Sequence, residues 1–112
     1  MERAGPERQF FRVSYPDVAC PTFEVDGVVY LVTDLSESGI GLRLPEGGTL
    51  ELGAQPSGVL YIRPIDVHKK VSGTVVRVGE GRAALRLRRP WLLPIQLITS
   101  EQRRLIASGY RP

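Results

Sequence analysis

The sequence predicts an all-β domain: a small antiparallel barrel of six strands followed by one C-terminal helix. Three observations lead there. Short apolar segments alternate with a period of two, Gly- and Pro-containing turns separate them at close spacing, and only one stretch, near the end, carries helix start and stop signals. Closing such strands into a barrel removes the exposed edges they would otherwise present. A length of 112 residues with 42% hydrophobic and 24% charged content suits one domain with one core.

Taken in order, residues 1–15 read as a flexible, arginine-bearing N-terminal arm, and residues 16–112 as the barrel and its helix. The segment VACPTFEV, Val18 to Val25, puts Ala19, Pro21, Phe23 and Val25 on one face. Asp26-Gly27 is a tight hairpin signal leading into VVYLVTDL, Val28 to Leu35. From Gly39 to Leu44, Ile40, Leu42 and Leu44 share the buried face. The loop PEGGTLELGAQPSG follows. In VLYIRPIDV, Val59 to Val67, both faces carry apolar groups, which suggests a strand covered on both sides. Lys70 to Val78 is the fifth strand. Gly79-Glu80-Gly81 turns the chain into RAALRLR, Arg82 to Arg88, where Leu85 and Leu87 point inward and Arg82, Arg86 and Arg88 face solvent.

Pro90 and Pro94 make PWLLPIQLI an extended connection, anchored on the barrel by Trp91. Thr99 as cap, with Gln102 three positions later, opens a helix over about residues 100–109. Leu105 and Ile106 form its apolar side and Gly109 ends it.

The composition narrows the function. Cys20 is the only cysteine, so neither an internal disulfide nor a cysteine metal cluster is available, and a cytoplasmic setting is expected. The segment MERAGPERQFFR has no apolar run of leader length, and no stretch is long enough to insert into a membrane. His68 is the only histidine and has no accompanying ligands or nucleophile, and neither GxxxxGK[ST] nor GxGxxG occurs. No catalytic residues, metal site or cofactor are expected, and the chain does not read as an enzyme.

The net charge of +3 comes from arginine: of 15 basic residues only Lys69 and Lys70 are lysine. Guanidinium is a planar fork that grips phosphates and purine edges with two bonds, so an anionic partner fits. Arg8 with Arg12 and Arg82 with Arg86 stand four apart, a spacing that chance alone supplies in so arginine-rich a chain. The second pair is already explained by strand alternation. Arg8 and Arg12 precede the first strand, where no periodicity accounts for them. The turn DLSESG, Asp34 to Gly39, adds a carboxylate that can accept the donor hydrogens of a guanine edge, a hydroxyl, and a glycine that lets a flat ligand approach.

RxxxR ahead of the first strand, followed by [DN]xSxxG at the end of the second, resembles the PilZ domain family, and Arg8, Arg12, Asp34, Ser36 and Gly39 meet that pattern without substitution. GTVVRVGEGRAALRL is similar to the family's fifth and sixth strands and ITSEQRRLIASGY to its C-terminal helix. The resemblance implies a six-stranded PilZ-type barrel that binds cyclic di-GMP on its outer surface, with the arm wrapping the ligand and the reshaped surface engaging an effector protein of motility, pilus or polysaccharide machinery. Arg8 and Arg12 would hold guanine edges and phosphates, Asp34 would read the guanine donor edge, Ser36 would hydrogen-bond the ligand, and Gly39 would give clearance. Where some members carry a stacking aromatic on the fifth strand, this chain has Val75 and Val76, with Arg77 as a cation–π substitute. Glu7 stands where members that bind a ligand dimer often have a basic residue, which favours one ligand per domain.

The alternative is a nucleic-acid-binding small barrel using the Arg82, Arg86 and Arg88 stripe with Arg103 and Arg104. It accounts for the charge but leaves DLSESG without a role. The aromatics are also not interleaved with the basic residues as base stacking requires, so no nucleic-acid partner is expected.

Overall fold

A computed structural model describes residues 12–110. Among them are seven strands and one α-helix: β1 (Arg12–Ser14), β2 (Thr22–Val25), β3 (Val28–Ser36), β4 (Gly39–Arg43), β5 (Ser57–Ile62), β6 (Val67–Gly79), β7 (Arg82–Leu87) and α1 (Ile95–Ala107). Strands β2 to β7 pair antiparallel in the order β3-β2-β5-β6-β7-β4, and β4 returns to β3, so the six-stranded barrel is closed. The seventh strand, β1, lies against the end of β3. Of the arm expected over residues 1–15, residues 1–11 fall outside the described residues and residues 12–14 form β1.

Two hairpins rest on backbone that few residues adopt. Asp26 and Gly27 have φ of 51° and 83°, and Glu80 and Gly81 have 55° and 75°. Positive φ at both central residues is the two-residue turn whose twist matches that of the flanking strands. Inside the barrel the alternation is realised by Phe23, Leu35, Ile40, Leu42, Leu60, Ile62, Val71, Val75, Leu85 and Leu87, each at most 2% exposed. The same core continues through Val13, Leu93, Ile98 and Leu105, which belong to β1, the connection and α1. Trp91 packs half-buried against it.

Four local expectations are corrected. Val18 and Ala19 are not strand but lie in a 3-10 turn, Asp17–Ala19, and Val18 is 83% exposed; β2 begins after Pro21, whose carbonyl accepts the Val32 N–H. The apolar run Val59 to Val67 is broken by a second 3-10 turn, Arg63–Ile65: Pro64 has no N–H for a ladder, and Asp66 at φ 52° reverses the chain into β6. Consequently β6 starts at Val67 rather than Lys70. The helix begins at Ile95, not near residue 100, because Pro94 sits where an N–H would have no helical partner. Thr99 is thus internal, its hydroxyl donating to the carbonyls of Ile95 and Gln96. The stop at Gly109 follows the expected chemistry: Gly109 at φ 93° donates to Ile106 and Tyr110 to Leu105, closing the orphan carbonyls. No helix among the described residues is long and apolar enough to cross a membrane.

A buried polar cluster ties α1 to the first strand. Glu101, fully buried, accepts the Tyr15 hydroxyl at 2.6 Å and two N–H bonds from Arg104 at 2.7 and 2.9 Å. Burial and the adjacent carboxylate push the Tyr15 phenol well above its ordinary range. At the next residue, Gln102 Nε2 donates to the Arg12 carbonyl at 2.6 Å.

Candidate functional site

The site is organised by β3, the only described strand with three partners. Its first residues pair with β2; its last three are paired on both edges, by β1 and by β4. A bulge between Val32 and Asp34 decides which way its side chains point. Tyr30 and Val32 face the core; unbroken alternation would send Asp34 the same way and expose Leu35. Thr33, the extra residue, resets the phase. Leu35 becomes fully buried, and Asp34 and Ser36 emerge on the outer surface.

Two rows of cross-strand neighbours result. The first runs Arg12, Ser36, Gly39, Arg86, Thr74 across β1, β3, β4, β7 and β6. The second runs Ser14, Asp34, Gly41, Ala84, Arg77 across the same strands. Val13, Leu35, Ile40, Leu42, Ala83 and Leu85 beside them are buried, so these stretches of both rows face out. They floor an open cavity of about 1110 Å³ whose lining includes Arg12, Asp34, Ser36, Gly39, Arg77 and Arg86. Four of the five expected site residues are therefore together on one surface; Arg8 lies outside the described residues.

Gly39 follows the two-residue turn Glu37-Ser38, which is held by its carbonyls: Glu37 accepts from the Leu93 N–H and Ser38 from the Leu87 N–H, both at 2.8 Å. Its φ is not in the left-handed region, so it contributes space rather than a special backbone. A Cβ there would lie 3.2 Å from Ser36 Oγ. Gly41 is tighter still, since a Cβ would overlap the Asp34 carboxylate and the Thr33 hydroxyl. Gly41 and Ala84 thus let Asp34 lie across the floor, a role the motif did not reveal.

Four arginines, Arg12, Arg77, Arg82 and Arg86, line the cavity with three carboxylates, Asp34, Glu37 and Glu80. Among the described residues none of those arginines has an ion pair; the pairs lie elsewhere, at Arg43–Asp17, His68–Asp66 and Arg104–Glu101. Arg82 and Arg86 face solvent as alternation requires, yet the solvent they face is the cavity, because barrel closure brings β7 beside β4. Arg88 is also exposed but is not part of the lining. Val76, 45% exposed, stands at a second bulge, between Val75 and Arg77 of β6, and both Val76 and Arg77 reach the cavity. His68 is remote from all this, stacked on Tyr61 with ring centroids 4.2 Å apart. No group of metal-ligating residues occurs among the described residues.

Comparison with known proteins agrees with this architecture. The chain matches the PilZ domain model over residues 6–107. No curated protein matches it. Among solved structures it is similar to the Bacillus subtilis inhibitor of motility MotI/DgrA, with TM-score 0.66 and 12% identity over 89% of this chain and 51% of that one. It is also similar to an uncharacterised Legionella protein, with TM-score 0.58 and 12% identity over 88% of this chain and 97% of that one. A third is Escherichia coli YcgR, solved in complex with c-di-GMP, with TM-score 0.57 and 17% identity over 88% of this chain and 44% of that one. The chain spans about half the length of MotI/DgrA and less of YcgR, and at these identities the likeness is one of fold. With a match that runs from the arm to the end of α1, the chain belongs to the PilZ domain family.

Proposed function

We propose that this chain is a receptor for cyclic di-GMP, bound in the cavity over β3, β4 and β7, and that binding rearranges the N-terminal arm so that the altered surface engages an effector protein. The observation that carries the reading is the convergence of Arg12, Asp34, Ser36 and Gly39 on one outer cavity of a PilZ barrel. The ligand seen in YcgR supports the choice of cyclic dinucleotide.

The chemistry is complementary. A guanine presents N1 and N2 hydrogens to Asp34 and its O6 and N7 acceptors to the guanidinium of Arg8 or Arg12. The Ser36 hydroxyl hydrogen-bonds the ligand and Gly39 gives it clearance. With Glu7 ahead of Arg8, one ligand binds per domain. Arginine contacts that form only with ligand present offset the entropy of ordering a terminal segment, which makes the arm a switch. Motility, pilus or polysaccharide machinery is the class of effector the family suggests.

Calorimetric titration with cyclic di-GMP, GTP and a short oligonucleotide tests the reading. Heat is expected with the cyclic dinucleotide alone. No heat at protein concentrations well above micromolar would overturn it, and saturable binding of the oligonucleotide instead would favour the nucleic-acid alternative.

A further inference from the structure

We propose that Arg86 is a second ligand-gripping arginine of the cavity, taking the phosphodiester on the side away from Arg12. This rests on the cyclic dinucleotide reading of the site and adds a residue from outside both motifs.

Arg12 and Arg86 share the first row of the site. They sit at positions one and four of that row, with only Ser36 and Gly39 between them. Three strand spacings separate their backbones, roughly 14 Å at the usual interval between paired strands. Both side chains stand on the outer face, since Val13 beside Arg12 and Leu85 and Leu87 beside Arg86 are all buried. The neighbour of Arg86 toward the cavity is Gly39, which has no side chain, so the guanidinium can lie over β4 toward Ser36. Its other neighbour, Thr74, is short.

Arg86 also has no ion pair among the described residues, although it lines a cavity that contains carboxylates. A cation held at the rim without a partner binds an arriving anion without first giving up an internal one. Cyclic di-GMP is two identical nucleotides closed into a ring, so its two phosphodiesters lie on opposite sides. One arginine at each end of a polar, low floor matches that charge distribution. Arg12, on β1, reaches this floor from that side only.

Arg88 provides the control: it is the next outward residue on the same chain segment, equally charged and exposed, but not part of the lining. Binding of cyclic di-GMP to the full chain is compared for the wild type, Arg86→Ala, Arg86→Lys and Arg88→Ala, with unchanged circular dichroism verifying the fold of each. Arg86→Ala is expected to weaken binding about tenfold or more, as loss of a charge-assisted hydrogen bond does. Arg86→Lys is expected to fall between, keeping the charge but not the fork. Arg88→Ala is expected to bind as the wild type does. In phosphorus NMR of the bound ligand, one of the two resonances is expected to move between wild type and Arg86→Lys.

If the wild type binds and Arg86→Ala binds equally well, the inference fails while the receptor reading stands. Equal losses in Arg86→Ala and Arg88→Ala, or two unmoved phosphorus resonances, would also overturn it, by pointing to general positive charge or to a contact with the base. No binding by the wild type removes the receptor reading and this inference together.

Discussion

Tyr15 donates its hydroxyl hydrogen to the fully buried Glu101 across 2.6 Å, joining residues 86 positions apart. Tyr15 follows the strand that carries Arg12, and Glu101 lies on α1 beside Gln102, which holds the Arg12 carbonyl. The strand at the mouth of the cavity is therefore anchored to the C-terminal helix by one buried polar contact, Tyr15–Glu101, and one at the surface, Gln102–Arg12.

Tyr15→Phe is expected to destabilise the fold by about 1–3 kcal/mol, because one lone pair of a buried carboxylate loses its donor. It should also alter the alkaline limb of stability. The unfolded chain releases this tyrosine proton near the ordinary value of about 10. Folded Tyr15, with its phenol raised, retains it. Above that pH the native state binds more protons, so stability falls as pH rises. Urea titrations between pH 8 and 11 should show a shallower decline for Tyr15→Phe than for the wild type; parallel declines would remove Tyr15 from this role.

Arg104→Ala is expected to cost about 3–5 kcal/mol, since it leaves Glu101 buried with an uncompensated charge. The double variant Arg104→Ala, Glu101→Leu should recover part of the loss, because it removes the buried charge as well as its partner while leaving the Tyr15 hydroxyl without its acceptor. Denaturant midpoints of the single and double variants measure this directly.

Gly58→Ala is expected to lower the melting temperature by roughly 4 °C or more, corresponding to about 1 kcal/mol or above in a domain of this size. The added Cβ would overlap the Glu24 carbonyl and the Val25 side chain, where β2 and β5 are paired. Gly79→Ala meets nothing within 4 Å and is expected to be nearly neutral by the same thermal scan.

Arg12→Lys is expected to lose most cyclic di-GMP binding although the charge is kept, because a lysine cannot make two bonds in one plane. Asp34→Ala should weaken binding and reduce the preference for cyclic di-GMP over cyclic di-AMP. Titrations of both variants with both ligands check this; unchanged selectivity in Asp34→Ala would remove the carboxylate from base reading.

Much of the architecture was readable along the chain, because strand alternation and two-residue turns are local. Asp26-Gly27 and Glu80-Gly81 sit where the sequence marks turns, and Ile40, Leu42, Leu85 and Leu87 point inward as their spacing requires. The misplaced boundaries fell at Pro21, Pro64 and Pro94, where a missing N–H ends or begins an element in ways set by the neighbouring strands. The motif residues Arg12, Asp34, Ser36 and Gly39 could be singled out by type and order alone. What alternation could not supply was the direction of Asp34, since strict period two would have buried it; the bulge at Thr33, fixed by pairing with β4, turned it outward. Nor could spacing show that Arg86 shares a row with Arg12. That neighbourhood exists only because the barrel closes, bringing residues 74 positions apart in the chain onto one floor through pairing between strands that are not consecutive.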